Sequence, residues 1–399
     1  MAIAQHNIIP ISLRDACDVQ VTDDLITLFR QARNQGYEWQ PIPERYQGLS
    51  PEELDRRIRE TRAALGTKIV ILGHHYQRED IIKYADERGD SFKLAQYAAS
   101  RPEAEYIVFC GVHFMAESAD ILSGPHQKVV LPNLAAGCHM ADMANPDDVF
   151  DAWESIQEVL GDTVAPITYM NSTASLKAFC GARGGAVCTS SNAKAVVSWG
   201  LEQKERLLFF PDEHLGRNVA YDLGFTEDDI AVWAWRGDAP LGGLTPAQLY
   251  RSRFILWKGY CPTHDRFSVE QVLEAKARFP GINILVHPEV RHEVAEMADY
   301  VGSTEFIAKT IAAAPTGSQW AVATEINLVS RLAKENPDKL VFCLDPVVCP
   351  CSTMYRIHPA YLLWALDGIA EGNPVNVVKV EPEIAHWAKV ALDRMLAIV

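Results

Sequence analysis

Lys339-Leu340-Val341-Phe342-Cys343 is a short apolar run opened by a basic residue. Leu344-Asp345-Pro346-Val347-Val348-Cys349-Pro350-Cys351-Ser352-Thr353-Met354 follows it as a loop bearing prolines and thiols. The same plan occurs twice earlier. Lys128-Val129-Val130-Leu131 leads to Gly137-Cys138-His139-Met140, and Arg253-Phe254-Ile255-Leu256-Trp257 leads to Gly259-Tyr260-Cys261-Pro262-Thr263-His264. Apolar runs without alternation predict strands buried on both faces, as in a parallel sheet. In open parallel α/β sheets, ligands bind beyond the carboxyl ends of the strands. Three strands that each deliver a thiol to that edge point to one shared metal centre.

The remaining chain keeps the rhythm of strand, polar loop and helix. Ser50-Pro51-Glu52-Glu53 predicts a helix start, with Ser50 as cap and Pro51 at the first helical position. Lys68 to Leu72 is a buried strand ending in Gly73-His74-His75-Tyr76-Gln77. Helices follow from Asp90 or Ser91 and over 114–122 and 147–160, interleaved with strands at 106–110, 165–169, 186–188 and 207–210. Residues 216–250 read as a loop-rich, Trp-bearing segment. A helix over 269–278, a strand over 282–286, a short strand at 300–301, a helix through Ile311 and a final helix over 382–396 complete the pattern. The expected units are an extension over 1–48, α/β units over 49–145, 146–265 and 266–375, and a C-terminal helix over 376–399.

Composition narrows the function classes. The chain has 399 residues, 48% apolar and 22% charged, as expected of a globular protein, and its net charge is −15. That charge argues against nucleic acid as a partner. No apolar run is long enough to span a bilayer, and the first residues lack the pattern of a secretory signal. A cytoplasmic location is expected, in which nine cysteines serve metal or redox chemistry rather than disulfides.

The cysteine spacing lacks the paired knuckles of zinc ribbons. Single thiolates from distant loops suit an iron–sulfur cluster. With three thiolates on a four-iron cube, one iron stays open to act as a Lewis acid. Cys17, Cys110, Cys180, Cys188 and Cys343 read as packing residues, and within the last loop either Cys349 or Cys351 can be the ligand. Asp90-Ser91, Thr189-Ser190-Ser191 and Gly302-Ser303-Thr304 each precede a helix. Each suffices as an ordinary cap, but together they describe a pocket for phosphate and carboxylate groups. His74, Tyr76, Tyr169, His287 and Glu289 are the proton-transfer candidates on the same edge.

These motifs, with Tyr169-Met170-Asn171-Ser172, Cys188-Thr189-Ser190-Ser191-Asn192, His287-Pro288-Glu289 and Cys351-Ser352-Thr353-Met354, closely resemble the A-type quinolinate synthases of NAD biosynthesis, in order from about residue 66 onward. The resemblance implies three α/β/α Rossmann-like domains with pseudo-threefold symmetry around a central active site. It implies a [4Fe–4S] cluster on Cys138, Cys261 and Cys351 with one open iron; Cys351 is preferred over Cys349 because it matches the family's Cys-x-x-Met. It implies a transferase that condenses iminoaspartate with dihydroxyacetone phosphate, releasing phosphate and two waters, and leaves room for transient contact with the enzyme supplying iminoaspartate. The matching substrate positions are His74, Ser91, Tyr169, Asn171, Ser190, His287, Glu289, Ser303 and Thr304, and the catalytic ones Glu289, Tyr76 and His74. Three features depart from the family pattern: His75 stands where Asn is common, and the extension and the 216–250 segment are longer. Two other classes remain: a zinc hydrolase using His74, His287 and Glu289, and a non-enzymatic redox-sensing module.

Overall fold

A computed structural model describes residues 40–398 except 238, 348 and 349. The alternative ligand Cys349, Cys17 and most of the expected extension lie outside the described residues.

The chain builds three sheets. In the first, β1 (Ile69–His74) lies between β2 (Glu87–Gly89) and β3 (Tyr106–Cys110), and β4 (Lys128–Val130) pairs with β3, all in parallel. The second has the order β6-β5-β7-β9-β8, from β5 (Val164–Tyr169), β6 (Ala186–Cys188), β7 (Arg206–Phe210), β8 (Ile230–Trp233) and β9 (Phe254–Trp257), again parallel. The third has the order β11-β10-β12-β13, from β10 (Asn283–Val286), β11 (Tyr300–Val301), β12 (Gln319–Ala323) and β13 (Leu340–Cys343). Most unbroken apolar runs become strands buried throughout, as in β1, β3 and β5, but the run over 340–343 does not: β13 is an edge strand in which only Val341 is buried.

Local chemistry sets the helix starts. Ser50 accepts from the Glu53 N–H and Pro51 fills the first position of the helix Pro51–Leu65. Asp90 caps Ser91–Ser100, Thr173 caps Ala174–Ala182, and Ser303 caps Thr304–Ala313. Residues read as loop-rich are more regular than expected. Helix Glu213–Asp222, capped by Asp212, precedes β8, and Thr245 opens the helix Pro246–Arg251 with a full capping box. β8 was missed because it alternates in burial and lies at the sheet edge, so it shows no continuous apolar run.

The core is shared unequally. One hydrophobic cluster runs through the first two sheets, whereas the third carries a separate cluster on each face. Alternation explains the latter: Ile284 and Val286 of β10 face one cluster and Leu285 the other. Beyond the Cys351 loop the chain leaves the third sheet. Helix Pro359–Ala370 packs on Pro51–Leu65, where Asp367 accepts from Arg57 at 2.9 Å and from the Thr61 hydroxyl at 3.1 Å. Val377–Val378 then forms β14, antiparallel to β4. The final helix Pro382–Ala397 lies against Ala174–Ala182 so closely that a Cβ on Gly181 would meet the Trp387 carbonyl oxygen at 1.9 Å. The C-terminal segment thus ties the first sheet to the second.

Candidate active site

One cavity collects residues that lie just beyond the carboxyl ends of strands from all three sheets. The thiols arrive first. Cys138 follows β4, Cys261 follows β9 and Cys351 follows β13, and all three line this cavity. Burial pushes each thiol up, and Cys138 and Cys261 also feel Cys351 as a like charge. Such a set is stable as thiols only when empty; a soft cation reverses the balance and makes thiolates the favoured form. The loop carrying Cys351 is fixed by Glu325, whose carboxylate accepts from the Cys351 N–H at 3.2 Å and the Asn327 N–H at 2.7 Å. Burial pushes Glu325 up to about 7, against the pull of those donors.

The proton-transfer candidates face the same space. Glu289 is buried beyond β10, and its Oε1 accepts from the Tyr169 hydroxyl at 2.7 Å. His264 Nδ1 lies 2.8 Å from Glu289 Oε2, close but misaligned for a hydrogen bond, and His287 Nδ1 lies at 3.9 Å. Burial pushes Glu289 up, but His287, His264 and Tyr169 together pull it further down, so it is held below the usual carboxylate range. Burial lowers His287 to about 3, leaving a neutral ring. Tyr76 Oη is 2.7 Å from Thr324 Oγ1 and 3.3 Å from His264 Nε2. A chain of polar contacts therefore runs from Tyr76 through His264 to Glu289 and Tyr169. His74 accepts the Tyr76 N–H on Nδ1 at 3.1 Å, so its neutral ring carries its proton on Nε2.

Hydroxyl and amide groups complete the wall: Ser91, Asn171, Ser190 and Thr304. Thr304 is 3% exposed and its Oγ1 has no hydrogen-bond partner, which leaves a buried donor aimed at whatever fills the cavity. Asp90 locks two of these segments together by accepting from Lys93 N–H at 2.9 Å and from the Ser191 hydroxyl at 2.8 Å. Ser303 alone among the expected residues is absent from the wall; its hydroxyl accepts the Phe306 N–H at 3.3 Å as a helix cap.

Over residues 56–397 the chain matches the family described as quinolinate synthetase A protein. The chain belongs to that family. It is similar to quinolinate synthases of Corynebacterium glutamicum (55% identical, covering 90% of this chain and 91% of the relative), Streptomyces coelicolor (51%, covering 96% and 98%) and a Geobacillus species (50%, covering 90% and 96%). The quinolinate synthetase A match spans all three sheets and every cavity residue named above.

Sequence reasoning missed His264, Thr324 and Glu325 as site residues. His264 stands three residues beyond the Cys261 thiol, and that spacing is the one signal in the sequence that marks it. Thr324 and Glu325 directly follow β12, whose alanines hid the strand. Among the described residues no helix is long and apolar enough to cross a membrane.

Behind the cavity wall lies Lys177, fully buried on the helix Ala174–Ala182, donating to the Ser172 carbonyl at 2.5 Å, with its ammonium 5.3 Å from the Phe114 ring. Burial lowers it from 10.5 to about 8. Between those values the unfolded chain holds more protons, so folding stability rises with pH there. Below about pH 8 the buried charge costs roughly 3 kcal/mol. In Lys177→Met the rise of melting temperature between pH 8 and 10.5 is expected to flatten. Identical slopes for both proteins would contradict the assignment.

Proposed function

We propose that this chain is a quinolinate synthase that condenses iminoaspartate with dihydroxyacetone phosphate, releasing phosphate and two waters, in NAD biosynthesis. The observation that carries the reading is the convergence, in one buried cavity, of three thiols from three strand ends with an ionised carboxylate and hydroxyl donors. Family membership supports the same product.

The donor set fits a [4Fe–4S] cluster on Cys138, Cys261 and Cys351: three soft ligands from separate loops, with no fourth thiol on the cavity wall among the described residues. When bound, the cluster supplies a Lewis acid at its iron without a protein ligand. The remaining chemistry belongs to the chain. Ser91, Ser190, Thr304 and Asn171 hold phosphate and carboxylate groups, with the orphaned Thr304 hydroxyl as one donor. Glu289, low in pKa and held by Tyr169, takes the proton from the carbon beside a carbonyl. Tyr76 and neutral His74 return protons to departing oxygens. His264, in contact with both Tyr76 and Glu289, lets a proton pass between them.

A second occupancy has its own support. Cys261, His264 and Glu289 offer ligand atoms within 4.8 Å of one another, the size of a single-ion site. That arrangement would leave Cys138 and Cys351 without a role. The deciding experiment is anaerobic purification with iron, sulfide and zinc analysis, followed by assay for quinolinate from the two substrates. Stoichiometric iron and sulfide with product formation supports the proposal; one zinc and no product ends it.

A further inference from the structure

The second sheet and its loops hold the loop that carries Glu289 through its carboxylate, through Arg291 and through its backbone. Tyr169 holds the carboxylate, as described. The backbone is held by a side-chain amide. Asn218, on the helix Glu213–Asp222, donates through its amide nitrogen to the carbonyl oxygens of Pro288 at 2.9 Å and Val290 at 2.8 Å. These carbonyls belong to the residues on either side of Glu289. Asn218 is 9% exposed, so both bonds form out of water, where an unmade one is costly.

The orientation of the amide is determined by its partners. Two carbonyls can only accept, so the NH2 group faces them and Oδ1 faces away. Oδ1 lies 2.9 Å from His292 Nδ1, and it can only accept, so the His292 proton sits on Nδ1. The His292 ring stacks on Tyr221, one turn along the same helix as Asn218, with centroids 3.9 Å apart and planes at 19°. Asn218, His292 and Tyr221 thus form one strut from the second sheet's helix to both ends of the 287–292 segment.

We infer that Asn218 is a positioning residue for the proposed reaction: by holding the carbonyls on both sides of Glu289 it sets the direction in which that carboxylate enters the cavity. The inference rests on the role given to Glu289 above. Arg291 also pairs with Asp265 of the Cys261 loop at 2.7 and 3.0 Å, but through a half-exposed side chain two residues beyond Glu289, so the buried grip on the carbonyls flanking Glu289 rests on Asn218. The segment's own turn, Val290 N–H to His287 carbonyl at 3.1 Å, fixes its curvature but not its placement against the second sheet.

Two variants of the cluster-loaded enzyme test this, compared anaerobically with wild type. Asn218→Leu keeps the volume and removes all three bonds. Its kcat is expected to fall about 10- to 100-fold, the scale set by a misplacement of about an ångström, with KM within about threefold and visible absorbance unchanged. Asn218→Asp keeps the shape but, ionised, opposes two carbonyls with a charge; protonated, it regains one donor. Its kcat relative to wild type is expected to rise as pH falls, whereas the Asn218→Leu deficit stays constant. A residue that only fills space would give no such split. Deuterium exchange over residues 286–292 is the readout independent of chemistry, and it is expected to quicken in both variants. Quickened exchange with unchanged kcat would show that the strut holds the loop but that Glu289 lacks its assigned role. Wild-type exchange in both variants would overturn the positioning role itself.

Discussion

Cys138→Ser, purified without oxygen, is expected to emerge colourless, with iron and sulfide near background and no quinolinate formation. Serine is a hard, weakly acidic donor and does not replace a thiolate toward iron. Two remaining thiols are not expected to retain the proposed cube, which takes three. The same outcome is expected for Cys261→Ser, because each thiol comes from a different sheet, and for Cys351→Ser, where retained iron would instead pass the ligand role to Cys349 two residues earlier. Cys110→Ser is the contrasting case. Its thiol is buried inside β3, away from the cavity wall, and burial alone pushes it up to about 12. That variant should fold less stably yet keep its iron. Cys188→Ala should behave likewise. Full iron content in Cys138→Ser would remove the shared centre and return the site to the Cys261–His264–Glu289 corner.

What the sequence made legible follows from how each feature is encoded. Strands such as β1, β5 and β9 are buried on both faces, so a continuous apolar run marks them and their ends place His74, Tyr169 and Cys261 on one edge. Helix starts were legible because capping is local: Ser50, Asp90 and Ser303 act on N–H groups three residues away. β12 and β8 were not, one diluted by alanine and one alternating at an edge. The contacts that shape the site were hidden for a different reason. Asn218 to Pro288, Tyr76 to Thr324 and Glu325 to Cys351 join residues far apart in the chain, and no periodicity records which loop meets which. Ser303 and Thr304 show how one motif divides its work. The Ser303 hydroxyl accepts the Phe306 N–H as a cap and keeps its own O–H free to donate, while Thr304 lines the cavity.

Glu289→Gln is expected to retain iron, sulfide and fold while turnover falls by about 10²- to 10⁴-fold, the usual contribution of a positioned general base. The substitution is nearly isosteric. The amide oxygen still accepts from Tyr169, and the amide nitrogen can donate toward the histidines, so the loop has no new reason to move. What disappears is the ability to take up a proton. KM should therefore change little, since binding of phosphate and carboxylates rests on other groups. Tyr169→Phe separates holding from reacting: it deletes the 2.7 Å bond but leaves the carboxylate, so its loss should be smaller, about tenfold, and should appear with raised mobility of Glu289. If instead Glu289→Gln turned over at the wild-type rate while Tyr169→Phe did not, the proton would have to leave through Tyr169 itself, and the assignment of base would pass from the third sheet to the second.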